Sequence, residues 1–188
     1  MTHFTTHSID SASPAAKPLL EAAKKAYAFV PNLLGNMAES SALLEGYMTL
    51  AGIFNKTSFS ETERQIILMT NNRLNGCVYC MAAHTAISQG AGVATDVIDA
   101  LRNNTPIADG KLEALRIFTA AIHESRGWPT DNQTNSFLQT GYTQQSILEV
   151  ILGTSLKLMS NYTNHIANTP LDDAFKPTAW SRPIAATV

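Results

Sequence analysis

The chain has 188 residues, 45% of them apolar and 15% charged, enough for one domain with its own core and no need for a second. A formal charge of −2 excludes the basic footprint of a nucleic-acid binder. No apolar run reaches the ~18–20 residues of a membrane span, and MTHFTTHSID lacks the basic and apolar segments of a signal peptide.

Helical signals recur along the chain with short gaps. Residues about 1–12 read as a loose arm carrying His3 and His7. Ser13 followed by Pro14 predicts a helix running to about Phe29. Pro31 opens a short one over PNLLGNMAE. Ser40 caps a third, with Leu43, Leu44, Tyr47, Met48 and Leu50 along a core-facing stripe. Ser60 and Glu63 form an S-x-x-E capping box for a fourth helix, through about Leu74, on which Gln65 lies. Asn75-Gly76 is a breaker pair. CVYCMAAHTAIS then has no Gly or Pro until Gly90, so a helix is expected from about Cys77, with Gly90 just past its end. Thr95 is the expected cap of VATDVIDALRNN. Asp109 caps KLEALRIFTAAIHES, closed by Gly127. A polar helix spans roughly 131–139, closed by Gly141. Thr143 caps a long last helix to about Asn168, stopped by Pro170. The tail from Lys176, with Pro177 and Pro183, reads as an extended arm. No stretch alternates with a β period, so the expected fold class is all-α, one domain over residues 1–188.

The chemistry concentrates in residues 71–90, NNRLNGCVYCMAAHTAISQG, which hold both cysteines and His84 in the spacing C-x-x-C-x-x-x-H. On a helix, residues three apart differ by about 4.5 Å in rise and share a face, within reach of a disulfide. His84 lies four residues past Cys80, with Cβ atoms ~5–6 Å apart. From Cys77 it is about 10.5 Å along the axis. The imidazole is expected to serve Cys80 directly and Cys77 hardly at all. Both thiols fall in the first turn, where free N–H groups favour a thiolate. The pattern has two blander readings: half of a zinc site, or two small buried residues. Zinc would have to recruit His3, His7, His123 or His165 beside His84, since there is no second cysteine pair. A dithiol redox site, with no metal and no cofactor, is the preferred reading. Two cysteines in an untargeted chain fit the reducing cytoplasm.

The run SETERQIILMTNNRLNGCVYCMAAHTAISQG resembles the core signature of the AhpD-like / carboxymuconolactone decarboxylase superfamily, whose cysteine-bearing members carry N-G-C-x-x-C followed by A-A-H. VPNLLGNMAESSALLEGY is similar to the family's lead-in, and EVILGTSLKLMSNYTNHIANTPLDDAF to its closing helix, so the resemblance covers about residues 27–175. It is nearest the peroxidase-related branch. The decarboxylase itself lacks the cysteine pair, so its name is not taken as the activity. The resemblance implies an AhpD-like helical bundle, a homo-oligomer (trimer or hexamer) and a thiol-dependent hydroperoxide reductase. Carried over by position, Cys80 attacks peroxide, Cys77 resolves the product as a disulfide, and His84 belongs to a proton relay. The family's relay usually includes a glutamate twelve residues before the first cysteine; here that position is Gln65. Glutamine cannot take a proton, so a weak intrinsic rate is expected.

Sliding the chain by 84 residues lays QIILMT at 65–70 on EVILGT at 149–154. Cys77 then falls on Asn161 and Cys80 on Asn164, so N-x-x-N stands where C-x-x-C stands. Two pseudo-symmetric helical halves and a chance match are both open on this observation. If the halves are real, Glu149 is the counterpart of Gln65 and a candidate for the missing carboxylate. His165, in SNYTNHIAN, is a candidate to approach the dithiol from the second half, or a structural histidine. His123 sits near a helix C-terminus, where the dipole alone favours it. The sparse charge, against the usual ~25%, also points to a subunit interface.

Three function classes follow. The first is a hydroperoxide reductase, with a small hydroperoxide and an external dithiol as partners. The second is a redox-sensing or partner-binding module whose disulfide has no turnover role. The third is a lactone enzyme using His84 and His165 as acid and base.

Overall fold

The computed structural model describes residues 4–182, and among these it contains helices and no strand. The helices are α1 (Lys17–Tyr27), α2 (Asn32–Met37), α3 (Ser41–Phe54), α4 (Glu61–Leu74), α5 (Val78–Gly90), α6 (Thr95–Asn103), α7 (Gly110–Ser125), α8 (Asp131–Gln139) and α9 (Gln144–Ala167), followed by a 3₁₀ turn, Asp173–Thr178. The expected all-α class is what the chain adopts.

Side-chain caps set most of the helix starts. Ser40 accepts from Leu43 N–H, Asp109 from Lys111 and Leu112 N–H, and Thr143 from Ser146 N–H. Ser60 and Glu63 close both halves of their capping box. A second box, Thr130 with Gln133, starts α8 and was not expected. Elsewhere the boundaries move. α1 begins at Lys17, because Ser13 O is used first by a turn to Ala16 and Lys17 N–H. Thr95 lies inside α6, which Ala94 precedes. α5 runs through Gly90, and the left-handed position falls to Gly92, φ +73°.

α4 is the central helix: every residue from Gln65 to Asn72 is buried. One side of it packs into a large apolar cluster with α6, α7 and α8, where Phe118, Phe137 and Tyr142 stack. A second cluster gathers α1, α2 and the start of α5, and contains both cysteines. α9 lies across α4 and α3, and Gly153 allows the approach: a Cβ there would sit 2.7 Å from Ile67 Cγ2 and 2.8 Å from Phe54 Cε2.

Neither arm is loose where it is described. His7 N–H donates to Gly35 O at 3.1 Å, and its Nε2 lies 2.8 Å from Glu39 Oε2. His3 lies outside the described residues. At the other end Phe175 is buried, Thr178 Oγ1 donates to Ala82 O at 2.8 Å, and Arg102 donates to the carbonyls of Thr178 and Ala179. The expected extended tail is therefore a strap across α5 and α6 as far as Arg182; Pro183 lies outside the described residues. No described helix is long and apolar enough to cross a membrane.

Candidate functional site

The break between α4 and α5 builds the site. Gly76 adopts φ +66°, and Cys77 N–H closes back onto Asn72 O at 2.9 Å, so the chain turns and restarts as a helix within three residues. Cys77 becomes the N-cap of α5 and Cys80 sits in its first turn. Both thiols are free and buried. Cys80 lines a cavity of about 440 Å³ together with His84, Gln65, Lys157 and the aromatic rings of Tyr47 and Phe175. Cys77 does not line it. Exposed Tyr27 and Asn55 carry the cavity wall out to the surface.

α9 supplies the facing wall. Asn164 Nδ2 donates to Cys80 Sγ at 3.1 Å and lies 3.7 Å from Cys77 Sγ. Asn161 Nδ2 donates to Asn72 Oδ1 at 3.0 Å, and Asn161 Oδ1 accepts from Asn75 Nδ2 at 2.8 Å, which ties α9 to the helix break. Asn72 Nδ2 in turn donates to Cys80 O at 3.2 Å. The N-x-x-N that the 84-residue slide laid over C-x-x-C thus contacts it directly. α9 itself runs unbroken through the positions that match the α4–α5 gap.

His84 is held at both ring nitrogens. A glutamine oxygen can only accept and an ammonium can only donate, which fixes the tautomer. Nδ1–H donates to Gln65 Oε1 at 2.8 Å, and Nε2 accepts from Lys157 Nζ at 3.0 Å. Gln65 Nε2 then donates to Glu61 Oε1 at 2.8 Å. A carboxylate therefore stands one helical turn before Gln65 and is reached through it. Burial opposes ionisation of Glu61, but the hydrogen bonds from Gln65 and Arg64 hold its carboxyl below the usual range.

The two thiols titrate as a pair. Burial resists a charge on Cys80. The proton shared with Cys77, the Lys157 ammonium and the polar side chains along α9 outweigh it, and bring the Cys80 thiol well below its ordinary range. The same shared proton, with burial, pushes Cys77 up. Burial first, and then the Lys157 charge, depress His84 and keep its ring neutral. Of the two thiols, Cys80 is the one whose ionisation is favoured, and burial disfavours a charge on the His84 ring beside it.

Several expectations need correcting. No hydrogen bond joins His84 to either thiol among the described residues, because Lys157 and Gln65 occupy the ring. The direct service of Cys80 by His84 expected from helical spacing is therefore not made through a hydrogen bond. Glu149 is not at the site: it caps the loop before α4, accepting from Ser58 N–H at 3.0 Å and Ser58 Oγ at 2.6 Å. His165 is exposed on α9 and does not line the cavity, so it does not pair with His84 as acid and base. His123 bonds Asn71 Oδ1 at 2.9 Å and does not line the cavity. Gln65, Cys77, Cys80 and His84 do come together. No sequence signal used above marks Lys157 or Asn72, and Asn161 and Asn164 enter there only as repeat partners. The available signal for Lys157 was that it is the one Lys, Arg, Asp or Glu between Glu149 and His165.

Fold and site define an all-helical protein with a buried dithiol at a helix start, opened onto an apolar cavity. Residues 41–122 match the model of the carboxymuconolactone decarboxylase family. It is similar in structure to the alkylhydroperoxidase AhpD core of an uncharacterized peroxidase-related protein from Ralstonia eutropha JMP134, at 16% identity and TM-score 0.82, over 92% of this chain and 93% of that one. A peroxidase-related protein from Silicibacter sp. TM1040 gives 17% identity and TM-score 0.77, over 93% and 95%. A cysteine-to-alanine variant of the debrominase Bmp8, in complex with 2,3,4-tribromopyrrole, gives 16% and 0.79, over 95% and 96%. At such identities the likeness establishes the fold. No curated protein matches the sequence.

Proposed function

We propose that this protein is a thiol-dependent hydroperoxide reductase of the reducing cytoplasm. The observation that carries the reading is the asymmetry of the dithiol: Cys80 alone faces the cavity, and its sulfur accepts a hydrogen bond from Asn164. A thiolate there attacks the peroxide oxygen, the O–O bond breaks, and Cys80 becomes a sulfenic acid while the substrate leaves as an alcohol. Cys77, at the adjoining N-cap, displaces the hydroxyl as water and forms the disulfide. An external dithiol restores both thiols by exchange. The site needs no metal or cofactor for this sequence. Mixing reduced protein with cumene hydroperoxide should consume one peroxide for each pair of thiols lost. Peroxide consumption without thiol loss would sink the reading.

One further reading has support from the fold shared with the debrominase Bmp8 and from the aromatic cavity. The same thiolate can attack a ring bromine, leaving a carbanion to be protonated, and Cys77 then expels bromide to form the disulfide. Bromide release from tribromopyrrole, without peroxide turnover, would favour it. A redox-sensing module would instead form the disulfide once and show no turnover with a dithiol present.

Self-association belongs to the same proposal. Charge is sparse, and Leu148, Ile151, Tyr162 and Ile166 expose apolar surface along α9. Light scattering at micromolar concentration should give a trimer or hexamer; a mass of 20.3 kDa would overturn this part.

A further inference from the structure

Lys157 is a buried lysine at the site, and the sequence of steps above gives it no work. It is 1% exposed, on the inner face of α9. Among the described residues its Nζ has a single hydrogen-bond partner, His84 Nε2 at 3.0 Å, and forms no ion pair with a carboxylate. A buried ammonium without a counter-charge is costly, so buried charges are paired. The charged and titratable groups facing it around the cavity are Tyr27 of α1, Tyr47 of α3, Glu61 and Arg64 of α4, and Tyr79, Cys80 and His84 of α5. Glu61 is engaged by Arg64 and Gln65. Tyr79 donates to Asp172. His84 presents Lys157 with a lone pair and no charge. The sulfur of Cys80 is the remaining group that can carry the balancing negative charge.

We propose that Lys157 is the counter-ion of the Cys80 thiolate and the acid that protonates the leaving oxygen of the hydroperoxide. This rests on the peroxide reading for its second half only. When Cys80 S⁻ attacks, sulfur is oxidised to the sulfenic acid and the peroxide is reduced. The alkoxide takes a proton from Lys157 Nζ, which becomes a neutral amine. The thiolate charge and the ammonium charge vanish in the same step, so neither is stranded in the core. Cys77 then condenses with the sulfenic acid and its thiol proton leaves in the water. Reduction of the disulfide by a dithiol returns one proton to Cys77 and one to Lys157. His84 cannot take the donor role, since its one N–H is committed to Gln65. Its lone pair instead steers the lysine. This relay does not need the carboxylate that Gln65 replaces.

Two variants separate the halves. Lys157→Met removes charge and proton; Lys157→Arg keeps the charge but holds its proton far too tightly to donate. Iodoacetamide alkylation of Cys80 against pH, in reduced protein without peroxide, reads the counter-ion. Lys157→Met should move the inflection upward by one pH unit or more, which is about a tenfold loss of reactivity at pH values below both inflections; Lys157→Arg should leave it near that of the native protein. Stopped-flow reaction with cumene hydroperoxide reads the acid: Lys157→Arg should slow it by about 10²–10⁴-fold. An unmoved inflection in Lys157→Met overturns the ion pair. A native rate in Lys157→Arg overturns the proton transfer. If the native protein ignores peroxide, the peroxide reading and the acid role fail together, and alkylation still judges the ion pair. Should Lys157→Met fold poorly, the urea midpoint of Cys80→Ser decides. It should drop well below native at pH 8, and by much less when Lys157→Gln is also present. Additive effects would overturn the pairing.

Discussion

The α4–α5 junction and the middle of α9 face each other across the dithiol, one carrying C-x-x-C and the other N-x-x-N. They differ by a single break. At the junction the chain stops at Leu74 and restarts at Val78, so the thiols sit at a helix start. Free N–H groups there favour an anion. α9 passes its matching positions without interruption, and its interior N–H groups are used by its own carbonyls. Only side chains can act from that side. Lys157, Asn161 and Asn164 are spaced four and three apart, which puts them on one face. The broken helix supplies the nucleophile and the unbroken one the charge and the donors around it. One wall reacts while the other stays rigid.

Variants can break this comparison, beginning with the largest expected effect. Cys80→Ser should abolish peroxide consumption altogether. Cys77→Ser should react once and leave a sulfenic acid that dimedone traps. Dimedone labelling of Cys80→Ser, with none in Cys77→Ser, would reverse the roles. Asn164→Ala removes a donor to a charged sulfur, a bond of about 1.5–3 kcal/mol. The inflection of Cys80 alkylation against pH should rise by about one to two units; an unmoved inflection would leave α9 with no part in activating the thiol. Gly153→Ala tests rigidity. Its Cβ would press on Ile67 and Phe54, so the urea midpoint should fall by the equivalent of about 1–3 kcal/mol. If α9 shifts to accommodate it, alkylation of Cys80 should slow as well. The smallest effect is expected at Gln65. A missing general acid would make Gln65→Glu faster by about tenfold or more. With Glu61 Oε1 2.8 Å from Gln65 Nε2, the new carboxylate meets another instead. No gain in peroxide rate is expected, and a tenfold gain would reinstate the carboxylate relay in place of Lys157.

Much of this site was legible in the sequence, for reasons that differ by residue. Cys77, Cys80 and His84 are local: helical spacing alone places them on one stretch. Gln65 came from the resemblance, which implies a relay residue twelve positions before the first cysteine; the capping box at Ser60 and the break at Asn75-Gly76 only place it on the preceding helix. The 84-residue slide pointed at Asn161 and Asn164, but the match of QIILMT to EVILGT could not say that the two segments touch. Glu149 was chosen by the same slide and is wrong, because repeat equivalence does not fix which way a side chain faces once loop lengths differ. Lys157 and the release of His84 from Cys80 depend on how closely α9 approaches. That distance is set by Gly153, a residue with no chemical signal of its own. The strap formed by Phe175 and Thr178 was hidden by its prolines, which suit a 3₁₀ turn as well as an extended arm.

The most direct test of the account is the stoichiometric reaction of reduced protein with cumene hydroperoxide, followed by intact-mass and peptide analysis. The account predicts loss of both thiols for each peroxide consumed, and an intramolecular Cys77–Cys80 disulfide. It also predicts that the rate rises with pH through an inflection below the ordinary thiol range, since Cys80 is the group whose ionisation is favoured. Unchanged thiols after exposure to peroxide would contradict it, as would an inflection at the value of a free thiol.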